Sequence, residues 1–252
     1  MAAKVRAEVF QWQPLSDQVA IFRLKSVKGR AFPEYKAGQN IELYKGRKAM
    51  IFSIASAPYE TKKQGYLEFF ISRENKFQEG EFVECAGTAA GDFTLDRASG
   101  FDSVIFVATG TGVAPFVSMI RELSCSGERS VRYTLIHGSR KNEELGYHKE
   151  LSGLAASGKL DLLYIPTVSR PSAGDRNENP IGKGRAGNLL RLLLHLPCRG
   201  EAVLPAFLGE QDFRKRFRSH STIILACGSH ASVVDIGNIA AEKQIRFEKE
   251  DW

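Results

Sequence analysis

Gly110-Thr-Gly-Val-Ala-Pro115 stands between a compact apolar run, Ser103-Val-Ile-Phe-Val-Ala108, and a helix-patterned stretch that continues to about Ser124. Small residues let a backbone approach a ligand closely. A helix start then presents unpaired N–H groups and the positive end of its dipole to an anion. Pro115 suits a first helical turn, because its missing N–H costs nothing there. The chemistry on offer is phosphate binding. The spacing is not GxGxxG and no Gly-Lys-Ser/Thr follows, so the loop carries neither the Rossmann nor the P-loop signature. A tight strand-to-helix turn with no ligand is the other reading of the same residues.

Two arginines follow apolar runs, Arg140 in His137-Gly-Ser-Arg140 and Arg170 in Pro166-Thr-Val-Ser-Arg170, and a third, Arg185 in Lys183-Gly-Arg185, follows a polar loop. In a parallel sheet all three would lie near the carboxyl edge, where open α/β sheets bind ligands. Guanidinium forks grip phosphate in bidentate fashion. With Ser169 and Lys183 beside them, they point to a second phosphate apart from the glycine loop, such as a 2′-phosphate on a nucleotide ribose. Plain solvation of each arginine is the alternative. The polar loop Ser172–Lys183 follows the same strand end. The cysteines, Cys85, Cys125, Cys198 and Cys227, are far apart and form no CxxC pair. That argues against a disulfide framework, a zinc site or an iron–sulfur cluster, and no metal is expected.

The elements that must position these residues change character along the chain. Runs rich in β-branched and aromatic residues recur at Val5–Trp12, Val19–Leu24, Asn40–Tyr44, Met50–Ala55, Tyr66–Ser72 and Glu81–Ala86, separated by turn residues. They predict a small antiparallel barrel or sandwich. After about Gly100, apolar runs at 103–108, 133–137, 160–168 and 222–227 alternate with helix-like stretches at 143–156, 187–196, 211–217 and 231–243. That alternation predicts βαβ units around a parallel sheet, with 245–248 as an edge strand. Two domains follow, 1–100 and 101–252.

The chain has 252 residues and a formal net charge of +6, with 43% hydrophobic and 25% charged residues. Disorder is excluded by the apolar content. No apolar run approaches the roughly 20 residues of a membrane-spanning helix, so no membrane insertion is expected. The first eight residues lack the apolar core of a secretory signal, and a cytoplasmic location is the expectation. The densest basic run, Arg214-Lys-Arg-Phe-Arg218, reads as the polar face of a short helix. Charge alone does not make nucleic acid a partner.

Taken in order, Tyr35-Lys-Ala-Gly-Gln-Asn40, Phe52-Ser-Ile-Ala-Ser-Ala-Pro58, Gly91-Asp-Phe-Thr-Leu95, Ala108–Pro115, Pro166–Arg170, Lys183–Arg185, Cys227-Gly-Ser-His230 and terminal Trp252 resemble the ferredoxin–NADP(H) reductase family, particularly its compact bacterial members. The resemblance covers nearly the whole chain. It implies a β-barrel FAD domain followed by an NADP(H)-binding domain. It places Phe52 against the isoalloxazine and Ser53 at flavin N5, with Ile54 and Thr94 also on the flavin. Thr109, Gly110, Thr111 and Gly112 would take the NADP pyrophosphate. Ser169, Arg170, Arg185 and Arg140, joined by Lys183, would hold the 2′-phosphate. Cys227 and Gly228 would lie beside the nicotinamide, and Trp252 would shield the flavin face. Ser53, Cys227 and Trp252 are then the catalytic set. Taken as residues alone, Phe52 is equally a core aromatic and Cys227 an inert buried thiol.

Two departures from the family pattern bear on the flavin. The usual Arg-x-Tyr-Ser is Met50-Ile-Phe52-Ser53 here. The Gly-x-x-Ser/Thr turn that normally follows the fifth strand is replaced by Arg73-Glu-Asn-Lys-Phe-Gln-Glu-Gly80. Weak or atypical FAD binding is therefore expected. The implied activity is electron transfer between NADP(H) and a separate acidic carrier such as ferredoxin or flavodoxin. The alternatives are the reductase component of an oxygenase and a nucleotide-binding regulatory module that has lost its flavin.

Overall fold

The computed structural model describes residues 3–75, 77–127, 129–171, 181–217 and 219–251. They fall into two compact units: Met1–Asp96 with Ala114–Ser126, and Arg97–Val113 with Gly127–Trp252. The architecture read from the sequence, an antiparallel barrel followed by a parallel α/β sheet, is the observed one.

The first unit is a nearly closed antiparallel barrel of β1 (Val5–Pro14), β2 (Val19–Ser26), β3 (Asn40–Lys45), β4 (Lys48–Ser53), β5 (Tyr66–Ser72) and β6 (Phe82–Cys85), in the order β4-β3-β6-β1-β2-β5. Period-two alternation sends Val5, Ala7 and Val9 of β1 inward. They meet Phe22, Leu24, Ile41, Leu43, Leu67, Phe69 and Val83 in one core. Strand β5 is buried on both faces except at its last residue.

Two helices complete this unit. Helix α1 (Pro58–Gln64) was not legible as an element in the sequence, because it is only two turns long. Its ends explain it: proline sits in the first turn, Glu60 Oε2 accepts the Ala57 N–H at 2.8 Å, and Gly65 closes it at φ 73°. Helix α2 (Ala114–Ser126) is tied to β5 and the Ser56 turn. Ser118 Oγ donates to the Ser56 carbonyl at 2.7 Å, and Arg121 donates to Glu68 at 2.8 Å and Glu60 at 3.2 Å.

The second unit is a seven-stranded sheet in the order β11-β10-β9-β8-β7-β12-β13. Its strands are β7 (Ser103–Thr109), β8 (Arg132–Ser139), β9 (Leu162–Val168), β10 (Gly182–Gly184), β11 (Ala202–Val203), β12 (Thr222–Gly228) and β13 (Arg246–Asp251). All pairings are parallel except β10 with β11. The helices are α3 (His148–Ser157), α4 (Ala186–Leu193), α5 (Glu210–Arg214) and α6 (His230–Glu242). One sheet face packs Ile105, Val107, Ile136, Ile165 and Ile224 against Leu189, Leu190 and Leu193 of α4 and Val233 and Ile236 of α6. Strands β10 and β11 had no apolar run to announce them. Gly182 is bare because a Cβ there would stand 2.8 Å from the Val203 carbonyl. Among the described residues, no helix is long and apolar enough to cross a membrane, and no His/Cys/Asp/Glu cluster could hold a metal ion.

Candidate functional site

Strand β7 ends at Thr109, and Gly110–Val113 make a single 3-10 turn. The neighbouring strand β12 ends at Cys227-Gly228, with Cys227 level with Ala108. The two segments touch backbone to backbone. A Cβ on Gly112 would collide with the Cys227 carbonyl and lie 2.6 Å from the Gly228 nitrogen. Gly228 adopts φ 147°, and a Cβ there would collide with Thr109 Oγ1. Thr109 Oγ1 is itself buried without a hydrogen-bond partner among the described residues. A buried hydroxyl left unpaired costs about 1–3 kcal/mol, so a polar group placed at this turn would recover that loss. Cys227 is fully buried, and its Sγ faces Glu250 Oε2 at 4.0 Å. Glu250 has no signature in the sequence; only the β12–β13 register brings it level with Cys227.

Farther along the same sheet edge, strands β8, β9 and β10 end side by side. The Arg170 N–H donates to the Arg140 carbonyl at 2.8 Å, and the Ser169 N–H to the Ser139 carbonyl at 3.0 Å. Lys183 is level with Val168, and Thr167 Oγ1 donates to the Gly184 carbonyl at 2.8 Å. Arg185 then caps the start of α4. The backbones of Arg140, Ser169, Arg170 and Arg185 are thus gathered at neighbouring strand ends. All three arginine side chains are exposed, and their guanidiniums have no protein acceptor among the described residues. Lys183 differs: its Nζ is 2.6 Å from Glu201 Oε1. Elsewhere in this unit arginines are committed, as Arg191 is to Asp235 at 2.9 Å and Arg216 to Asp161 at 2.6 Å.

In the barrel, Phe52 and Ser53 end β4. Phe52 is half-buried and makes T-shaped contacts with Phe69 and Phe77, at 6.3 Å and 5.8 Å between centroids. Ser53 is buried and level with Asn40. Asn40 exchanges backbone hydrogen bonds with Ala90 at 2.9 and 3.0 Å, and Gln39 Nε2 donates to the Gly91 carbonyl at 2.8 Å. Gly91 is the close approach in this knot, since a Cβ there would stand 2.8 Å from Asn40 Nδ2. Gln39 and Asn40 therefore staple the segment carrying buried Thr94 to the end of β4. Ile54 lies wholly inside the core, and its N–H donates to the Gln39 carbonyl at 3.0 Å. Trp252 lies outside the described residues, as does most of the polar loop before Lys183.

The family model for the oxidoreductase NAD-binding domain matches residues 106–181, which span the glycine turn and two of the three arginines. Ferredoxin–NADP reductase B of Sorangium cellulosum (strain So ce56) is 30% identical over 182 residues, covering 67% of this chain and 71% of its own. The chain belongs to the ferredoxin–NADP reductase family. The flavohemoprotein of Bacillus subtilis (strain 168) is 27% identical over 179 residues, and the chain spans 42% of its length, less than half of that relative. Among solved structures, a ferredoxin NADP+ reductase from Neisseria gonorrhoeae with bound FAD and NADP covers 99% of both chains, with a TM-score of 0.75 and 20% identity.

For a ferredoxin–NADP reductase family member, the residues present fit some of the implied cofactor groups and not others. The glycine turn, the orphaned Thr109 hydroxyl and the uncommitted arginines suit a dinucleotide carrying an extra phosphate. Phe52, Ser53 and Thr94 suit a flat, hydrogen-bonding ring. The flavin diphosphate is the misfit. Met50, where the family places its arginine, is 9% exposed and part of the barrel core.

Proposed function

We propose that the chain is an NADPH-dependent flavoprotein reductase of the ferredoxin–NADP reductase kind, passing electrons to a separate one-electron carrier. The observation that carries this reading is the row of exposed arginines at the ends of β8 and β9 and at the N-cap of α4, beside the glycine turn, whose guanidiniums have no acceptor among the described residues.

In this reading the N–H groups of Gly110–Gly112 and the Thr109 hydroxyl bind the nicotinamide dinucleotide's diphosphate. Arg140, Arg170 and Arg185, with Ser169, bind its 2′-phosphate, and Lys183 contributes less because Glu201 already holds it. Phe52 would pack against the flavin ring and Ser53 would hold its N5 edge by a hydrogen bond. Bare Gly228 leaves the nicotinamide room beside Cys227. Trp252 is assigned to the opposite flavin face. A bound flavin supplies the conversion of a two-electron hydride into single electrons. FAD and NADP(H) are the cofactors. The net charge of +6 favours an acidic ferredoxin or flavodoxin, whose association it would accelerate.

The test is titration of the purified chain with NADPH and NADH in the presence of FAD, followed by reduction of an acidic ferredoxin or a dye. The expected outcome is flavin bleaching by NADPH at concentrations well below those needed for NADH. A chain that binds neither nucleotide, or leaves added flavin oxidised, overturns the reading.

A further inference from the structure

The ring end and the phosphate end of the flavin site are built to different standards. Phe52, Ser53 and the Thr94 segment are locked together by the Gln39 and Asn40 hydrogen bonds. Among the described residues, nothing comparable is built for a diphosphate. Met50 is level with Leu43 and buried among apolar side chains, so position 50 offers no charge to solvent. The segment after β5 is occupied with itself. Arg73 donates to the Ser16 carbonyl at 3.0 Å and pairs with Asp17 at 3.6 Å. The Arg73 N–H goes to the Gln18 carbonyl, the Gly80 N–H to the Val9 carbonyl and the Glu81 N–H to the Gln78 carbonyl. The Glu74 and Gln78 N–H groups go to Ser72 Oγ and Glu81 Oε2. These N–H groups are therefore not free to form an anion-binding nest.

Among the described residues of this segment, the exposed charges are also wrong for a diphosphate. Glu74 and Glu79 are exposed, and Lys45 is held by Glu81 at 2.7 Å. The nearest exposed cation on Met50's own face of β4 is Lys48. It lies two residues away, about 7 Å farther from Phe52 along the strand.

Building on the reductase reading above, we propose that this chain takes flavin as an exchangeable substrate selected by its ring, accepting riboflavin and FMN about as well as FAD. The balanced step is NADPH + flavin + H+ → NADP+ + dihydroflavin. The C4–H bond of the nicotinamide breaks with its electron pair, an N5–H bond forms on the flavin, and a solvent proton adds at N1. The dihydroflavin, before or after it leaves, then gives its two electrons singly to the separate one-electron carrier of the reductase reading.

The experiment titrates the full chain with riboflavin, FMN and FAD, following flavin fluorescence, and measures NADPH oxidation against each. The expected result is three dissociation constants within about fivefold, and bound flavin lost on desalting. NADPH oxidation saturates with riboflavin. A diphosphate cradle of two charge-assisted contacts would instead give FAD an advantage of about a hundredfold or more. That advantage, or FAD retained through desalting, overturns the proposal while leaving the reductase reading intact. Failure of all three flavins to bind overturns both. Lys48→Ala and Lys76→Ala are expected to leave the FAD-to-riboflavin ratio unchanged. A selective loss of FAD affinity of about tenfold in either variant overturns the proposal, because it locates a diphosphate cation.

Discussion

The bare Cα of Gly112 rests against the carbonyl of Cys227, with no room for a methyl group between them. Both atoms belong to backbone, so neither can swing aside. Gly112→Ala must push the glycine turn away from the end of β12, moving the N–H groups assigned to the dinucleotide phosphates. We expect a stability loss of about 1–3 kcal/mol and NADPH affinity reduced about tenfold or more. Thermal melting and NADPH titration check both. An alanine variant with unchanged affinity would show that the turn does not read the nucleotide.

Arg170 and Arg185 have exposed guanidiniums with no protein acceptor among the described residues. Replacing both with alanine therefore breaks no side-chain bond among the described residues, and folding should be unaffected. If they hold a 2′-phosphate, each lost charge-assisted contact weakens NADPH about ten- to a hundredfold. NADH lacks that phosphate and should bind the double variant as it binds the parent. The ratio of the two dissociation constants is the measurement. Equal weakening of both nucleotides would remove the 2′-phosphate assignment.

What the sequence disclosed follows from where local pattern suffices. Antiparallel barrel strands alternate, so Val5, Ala7 and Val9 announce their own face. The glycine turn is legible because a strand, two glycines and a helix stand next to one another. The arginines at three strand ends could be aligned because parallel strands end together. Contacts across long separations leave no such trace. Arg121 reads as one more helical arginine until α2 brings it to Glu68, 53 residues earlier. Glu250 reads as part of a charged terminal strand until register sets it beside Cys227. Buried parallel strands such as β7 are apolar on both faces, so the face that packs on α4 and α6 is hidden in the run.

Glu68 is the hub of a buried ionic network in the barrel unit. Its oxygens accept from Arg23 Nε at 2.6 Å and Arg121 Nη1 at 2.8 Å, and Arg121 also reaches Glu60 Oε2 at 3.2 Å and the Ala55 carbonyl at 3.2 Å. The side chains of Arg121 and Glu68 are 8% and 2% exposed. Arg121→Met keeps the stem but strands buried carboxylate charge. We expect a loss of about 3–5 kcal/mol, which lowers the melting temperature by about 6–20 °C for a chain of this size. Arg23 is 32% exposed and screened by solvent, so Arg23→Met should cost only about 1 kcal/mol. Equal losses in the two variants would contradict the assignment of Arg121 as the principal counter-ion.

His137 on β8 is fully buried. Its Nδ1 lies 3.2 Å from Tyr164 Oη, and its Nε2 has no partner among the described residues. His148 Nδ1 lies 3.3 Å from the same Tyr164 oxygen, so one hydroxyl serves two imidazoles. Burial, reinforced by the charge of His148, pushes the His137 pKa down from 6.5 to about 3, and burial lowers that of His148 as well. The folded chain therefore holds His137 neutral, while the unfolded chain binds a proton below pH 6.5. Stability from this group is full above 6.5. It falls by about 1.4 kcal/mol per pH unit as the pH drops from there toward 3. His137→Gln removes the titration and keeps a polar side chain facing Tyr164. Between pH 7.5 and 5.5 the parent should lose about 1.4 kcal/mol more than the variant in urea unfolding. Parallel losses would mean that other groups set the acid sensitivity.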